Sequence, residues 1–145
     1  HATDRIRAAV EAARAMPFPF TLTARAENFL VGRLDLKDTI VRLQAYQEAG
    51  ADVLYAPCIT TCEEITTIVR SVDRPVNFLM GTQPVRYSLT ELSEMGVRRV
   101  SVGSALATAA LGAFLRGARE MNERGTFEYA KDSAGFGEVS ELLKL

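Results

Sequence analysis

Apolar residues recur along residues 3–16 at Ile6, Ala9, Val10 and Ala13, with Arg5, Arg7, Glu11 and Arg14 on the remaining positions. That three-to-four spacing predicts an amphipathic helix. Pro17 ends it and Pro19 discourages its resumption, because proline lacks the N–H and restricts the residue before it. The stretch 20–25 (FTLTAR) then has the pattern of a short strand. A polar loop with Gly32 leads to a second helix at about 36–49, whose periodic face is Ile40, Leu43 and Tyr46 and whose stop is Gly50. Residues 53–56 form a short apolar run bounded by Pro57. Thr61 and Glu64 have the spacing of a capping box and open a third helix through Ile65, Ile68 and Val69.

The alternation continues in the same way. Residues 76–80, after Pro75 and before Gly81, read as a strand. Ser88 and Glu91 make a second capping box, opening a helix that closes at Gly96. Residues 100–102 are the last strand pattern, with strand starts falling near 20, 53, 76 and 99. A long Ala/Leu-rich helix spans 104–123 and is stopped by Gly125. The tail, 126–145, holds a loop and a short helix at 138–143, so we divide the chain into βα units over 1–125 and a tail. Two segments, EAGADV at 48–53 and EMGVRRV at 94–100, both run helix, glycine, strand, the mark of a repeating unit.

Strands alternating with helices predict an α/β fold with right-handed crossovers and a parallel sheet. The strands are short and mostly apolar, as a sheet covered by helices requires. Four βα units permit a small open doubly wound sheet or half of a closed (β/α)8 TIM barrel. No G-x-G-x-x-G follows the first strand, which removes the main support for a dinucleotide fold. At 145 residues the chain is short of the roughly 250 that a whole barrel takes.

Composition narrows the partners. Lys and Arg (17) nearly balance Asp and Glu (18), and they are scattered, so there is no basic stripe for nucleic acid. No run approaches the roughly 20 apolar residues of a membrane span, and no charged start leads into an apolar signal segment. A soluble, cytoplasmic protein is expected. The two cysteines, Cys58 and Cys62, are too few for a disulfide framework. The lone histidine, His1, leaves zinc without ligands, and we read both cysteines as reduced thiols that pack.

Ligands of parallel α/β folds sit beyond the carboxyl ends of the strands. After the first strand stand Arg25 and Glu27. An arginine there can fork onto a carboxylate or phosphonate with two parallel hydrogen bonds, with Glu27 orienting it, or the two can form a structural ion pair. After the second strand comes Cys58, which has no base to activate it. After the third come Met80, Gly81, Thr82 and Gln83, with Asn77 inside the strand, where its amide must reach the site or find partners. After the fourth, Gly103 and Ser104 open the long helix, as an anion site or as a plain capped turn.

The stretches 20–30 (FTLTARAENFL), 38–57 (DTIVRLQAYQEAGADVLYAP), 75–81 (PVNFLMG) and 95–106 (MGVRRVSVGSAL) resemble the isocitrate lyase/phosphoenolpyruvate mutase superfamily. They are most similar to its carboxyphosphonoenolpyruvate phosphonomutase-like branch. The resemblance covers about 3–130. It implies a Mg2+-dependent barrel that cleaves or forms C–C or P–C bonds beside a carboxylate of small α-keto or 2-hydroxy acids, through an enolate-like intermediate. It makes Arg25 the substrate-carboxylate arginine and Glu27 the acidic residue beside it. It also implies that the match is to strands five to eight, the C-terminal half of the barrel. The metal-binding aspartates would then belong to the first half, and this chain alone would hold no metal. Pro57 stands where several members carry a functional His or Glu. The expected partners are the small carboxylate or phosphonate substrate and either another copy or the missing N-terminal half, through the long helix or the open sheet edges.

Overall fold

The computed structural model of the chain describes residues 1–81 and 86–144; Thr82 and Gln83, among the site candidates, lie outside the described residues. Two compact units emerge, His1–Gly103 and Ser104–Leu145.

The first unit runs α1 (Ala2–Arg14), β1 (Thr23–Arg25), α2 (Leu36–Glu48), β2 (Val53–Tyr55), α3 (Cys62–Arg70), β3 (Val76–Leu79), α4 (Leu89–Glu94) and β4 (Arg99–Ser101). All strands are parallel and lie in the order β1-β2-β3-β4. Both predicted capping boxes form: Thr61 with Glu64 opens α3, and Ser88 with Glu91 opens α4. Strand β1 is shorter than the pattern 20–25 predicts. The Leu22 N–H is taken at 2.8 Å by the Asp52 carboxylate, which also accepts from Arg14 at 2.6 Å. A side chain thus anchors the approach to the strand.

The two glycine repeats are one structure used twice. At the end of α2, Gly50 N–H donates to Gln47 O and Ala51 N–H to Tyr46 O. At the end of α4, Gly96 N–H donates to Ser93 O and Val97 N–H to Leu92 O. Both are Schellman closures, and φ is +100° at Gly50 and +88° at Gly96, the left-handed region that glycine enters without steric cost. Each glycine also lies against a valine of the preceding helix, Val10 and Val69 respectively.

Side chains alternate across the sheet, so the register sorts them into two faces. Ala24, Leu54, Val76 and Phe78 share one face and join Leu43, Ile65, Ile68 and Leu92 in a single buried core. Helix α1 adds Ile6 to the same cluster. All four helices of the unit therefore serve one face of the sheet. A doubly wound sheet has helices on both faces and a reversal of strand order. Neither occurs among the described residues of this unit, so its α/β fold is singly wound in the manner of TIM-barrel proteins.

The second unit holds α5 (Ala105–Arg124), a 3-10 turn (Glu128–Asp132) and α6 (Phe136–Leu142). Glu120 ties the turn to α5, accepting from Thr126 Oγ1 and from the backbone N–H groups of Glu128 and Tyr129. The hydroxyl of Thr126, then the backbone donors, hold this carboxyl below its ordinary range. The Tyr129 ring packs over Gly117, where an added Cβ would come within 3.0 Å of it. Leu106, Leu111, Phe114 and Phe136 are exposed.

Candidate functional site

The second face of the sheet carries its polar side chains. In register across the four strands stand Arg25, Tyr55, Asn77 and Arg99, with Thr23, Val53, Leu79 and Ser101 on the same side. One polar row thus crosses a sheet whose opposite face is apolar.

Arg25 ends β1. Its Nε lies 2.9 Å from Glu27 Oε1, and its Nη2 lies 3.5 Å from Glu27 Oε2. Glu27 therefore engages the side edge of the guanidinium, through Nε and Nη2. The end edge, Nη1 with the second Nη2 hydrogen, still points away from that carboxylate, and the side chain is 49% exposed. The guanidinium also stands over the Tyr55 ring, 5.1 Å from its centre, a cation–π contact. Burial pushes the Tyr55 phenol above its ordinary value, although Arg25 pulls the other way. The phenol stays protonated at neutral pH, and its ring lies against the arginine.

Asn77 is 2% exposed and fully partnered. Its Oδ1 accepts from Arg99 Nη1 at 2.8 Å, and its Nδ2 donates to Ser101 Oγ at 3.0 Å. It makes no hydrogen bond to Arg25, and among the described candidates Arg25 and Glu27 are the pair that does bond. Gly103 follows β4 with φ +51°, and a Cβ there would touch Leu79. Ser104 begins the second unit as the residue before α5, but its hydroxyl makes no cap to the helix. Cys58 sits after β2 at φ +67°, half-buried, and both cysteines are free thiols.

Sequence reasoning missed three residues here. Tyr55 and Arg99 look like an aromatic in an apolar run and one of two adjacent arginines until strand register aligns them with Arg25 and Asn77. Asn28 is the third. It is buried and donates to Asp38 Oδ2 at 2.9 Å, which Arg42 Nε also reaches at 2.7 Å. Its Oδ1 has no partner among the described residues. Asn28 and Arg25 line an open groove of about 550 Å3 that also carries Arg5, Arg33 and Arg42, a setting that favours anions.

Among the described residues, no three carboxylate, imidazole or thiolate side chains converge as metal ligands. Glu27, the one carboxylate among the described residues lining the groove beside Arg25, is engaged by that arginine, so the groove alone does not supply the oxygen shell of a Mg2+ ion. No described helix is long and apolar enough to cross a membrane.

The sequence model of the phosphoenolpyruvate phosphomutase family matches residues 1–122. A crystal structure of a candidate lyase/mutase from Burkholderia cenocepacia J2315 is 56% identical and superposes with a TM-score of 0.94 over 99% of this chain and 52% of that one. Oxaloacetate decarboxylase 1 of Pseudomonas putida (strain W619) is 31% identical over 107 residues, 74% of this chain and 35% of that protein. A phosphonopyruvate hydrolase in complex with oxalate and Mg2+ is 26% identical, with a TM-score of 0.74 over 97% of this chain and 50% of that one. The chain spans only about a third to a half of the length of the proteins it matches.

Proposed function

The chain belongs to the phosphoenolpyruvate phosphomutase family, in the isocitrate lyase/phosphoenolpyruvate mutase superfamily, and from that premise we propose that the full-length protein carrying it is a lyase or phosphonomutase-type enzyme. It makes or breaks a C–C or P–C bond beside the carboxylate of a small α-keto or 2-hydroxy acid. The observation that carries this reading is the Arg25 fork at the carboxyl end of β1. Glu27 holds one edge of the guanidinium and Tyr55 lies beneath it, leaving the end edge oriented for a substrate carboxylate. Two parallel charge-assisted bonds fix both the position and the plane of that group. A fixed carboxylate fixes the neighbouring carbon, where charge develops as the bond breaks.

The chain corresponds to the C-terminal half of the barrel. The share of its relatives' length that it spans supports half a barrel, as do the outer edges of β1 and β4, which pair with no other described strand; the C-terminal position follows from the sequence resemblance. An open edge is a template for another strand, and the missing half, or a second copy, would cover it. The Mg2+ expected for the complete enzyme would then be held by residues outside this chain. The groove beside β1, with its four arginines, supports an anionic substrate.

Calorimetry on the full-length protein with oxalate and Mg2+ tests the reading. Arg25→Lys keeps the charge but loses the planar fork. It is expected to weaken oxalate by about 10- to 100-fold, the worth of a charged hydrogen bond, with little change in melting temperature. Unchanged oxalate affinity would overturn the clamp. No oxalate binding by the unaltered full-length protein would instead favour a non-catalytic assembly module.

A further inference from the structure

Glu27 decides which edge of the Arg25 guanidinium stays free, and among the described residues its carboxylate bonds to Arg25 alone. Both side chains are nearly half exposed. An ion pair that open to water does little to hold its own geometry. The backbone that carries Glu27 must therefore set it.

That backbone is tied down on both sides. Before Glu27, the Ala26 N–H donates to Tyr55 O at 2.9 Å, the last bond of β1 to the sheet. After it stands Asn28, 5% exposed, on the wall of the groove that Arg25 also lines. The Asn28 backbone oxygen accepts from Arg33 N–H at 2.8 Å and closes the loop on itself. Its Nδ2 donates to Asp38 Oδ2 at 2.9 Å, tying the loop to α2.

Asp38 is a prepared acceptor. Its own N–H is capped by Asp35 at 3.0 Å, and Arg42 Nε reaches the same Oδ2 at 2.7 Å. It also lies in the first turn of α2, where the helix dipole favours a negative charge. Asn28 Oδ1 has no partner among the described residues, so the Asp38 bond is the tie of this buried amide. Phe29 is buried beside it, but apolar burial is non-directional and does not fix how the preceding peptide is turned. A charge-assisted hydrogen bond does.

We propose that Asn28 is a positioning residue: through its bond to Asp38 it fixes the loop that carries Glu27, and so sets which edge of the Arg25 guanidinium meets the substrate carboxylate. The proposal rests on the reading of Arg25 as the carboxylate clamp. A binding group works only when the residues behind it are locked in turn, and here the lock lies one residue beyond Glu27.

Oxalate binding to the full-length protein with Mg2+, followed by calorimetry, tests it. Asn28→Ala is expected to weaken oxalate by about 3- to 10-fold. In an Arg25→Lys background the same substitution should change affinity by less than about twofold, because the fork it positions is gone. A loss of equal size in both backgrounds would show a merely structural role and overturn the proposal. Asn28→Asp sets two carboxylates against each other and should also weaken oxalate. The exchanged pair Asn28→Asp with Asp38→Asn restores the bond with donor and acceptor reversed, and should return affinity to within about threefold of the unaltered protein. An exchanged pair no better than Asn28→Asp alone would overturn the proposal, and this comparison decides the matter if Asn28→Ala does not fold. Arg25→Lys keeps the two ideas apart. If it leaves oxalate unchanged, the clamp reading fails and the proposal with it; if it weakens oxalate while Asn28→Ala does not, only the positioning role fails.

Discussion

Gly96→Ala tests the helix–glycine–strand closure directly. The substitution adds one methyl group at a residue with φ +88°, and that Cβ would lie 2.7 Å from Val69 Cγ1 on α3. Two costs follow. A left-handed alanine costs about 1–2 kcal/mol relative to a residue without a Cβ. An extra methyl group forced into a packed contact costs about 1–3 kcal/mol more. The single variant should therefore lose about 2–5 kcal/mol, a large part of a typical domain's stability. The second cost depends on Val69 and the first does not. Val69→Ala removes the offending Cγ1 and costs about 1.6 kcal/mol by itself for two lost methyl groups. In the double variant the clash is gone while the backbone cost remains. Urea unfolding of the four proteins should thus give a double variant more stable than the sum of the singles by about 1–3 kcal/mol. Additivity within about 0.5 kcal/mol would refute the steric argument and leave only the backbone conformation.

Two further outcomes follow from the fold. Leu54→Ala, at a fully buried position in the centre of the sheet, should cost about 2–5 kcal/mol by chemical denaturation, against under about 0.5 for a surface change such as Lys37→Ala. Asp52→Asn should cost about 1–2 kcal/mol at pH 7, since the carboxylate serves Arg14 and the Leu22 N–H. The Arg14 hydrogen bond first, then the Leu22 N–H, depresses this acid in the folded state. Its contribution is therefore present above the unfolded value of about 3.9 and lost as pH falls through the lower folded value. The stability gap between the Asp52→Asn variant and the unaltered protein should narrow below about pH 4, and a gap independent of pH would show that the charge is not involved.

What the sequence conveyed and what it withheld divide along the range of the interactions. The capping boxes at Thr61/Glu64 and Ser88/Glu91 close within one helical turn, so the spacing of two residues is enough to find them. Arg25 and Glu27 are two residues apart and meet for the same reason. The repeated glycine was visible as a pattern, but the valine pressed against each one comes from a different helix. The row Arg25–Tyr55–Asn77–Arg99 is set by strand register, which depends on how the whole sheet packs. Period-two alternation gives each strand two faces without saying which faces coincide. Tyr55 was therefore hidden in an apolar run, and Arg99 beside Arg98. Asn28 was missed because its burial is decided by Asp38 and Arg42, on another element.

The strand order has a consequence for how the protein is made. Each of the four described strands pairs with its immediate neighbour in chain order, so no pairing among them waits for a distant segment. Each pairing closes over a single helical crossover, which holds its entropic cost below that of joining strands far apart in the chain. During synthesis, β2 and its helix can dock on β1 as soon as they emerge from the ribosome, and β3 and β4 follow in turn. The growing edge is always the newest strand, and the chain is laid down in the order in which it is stacked.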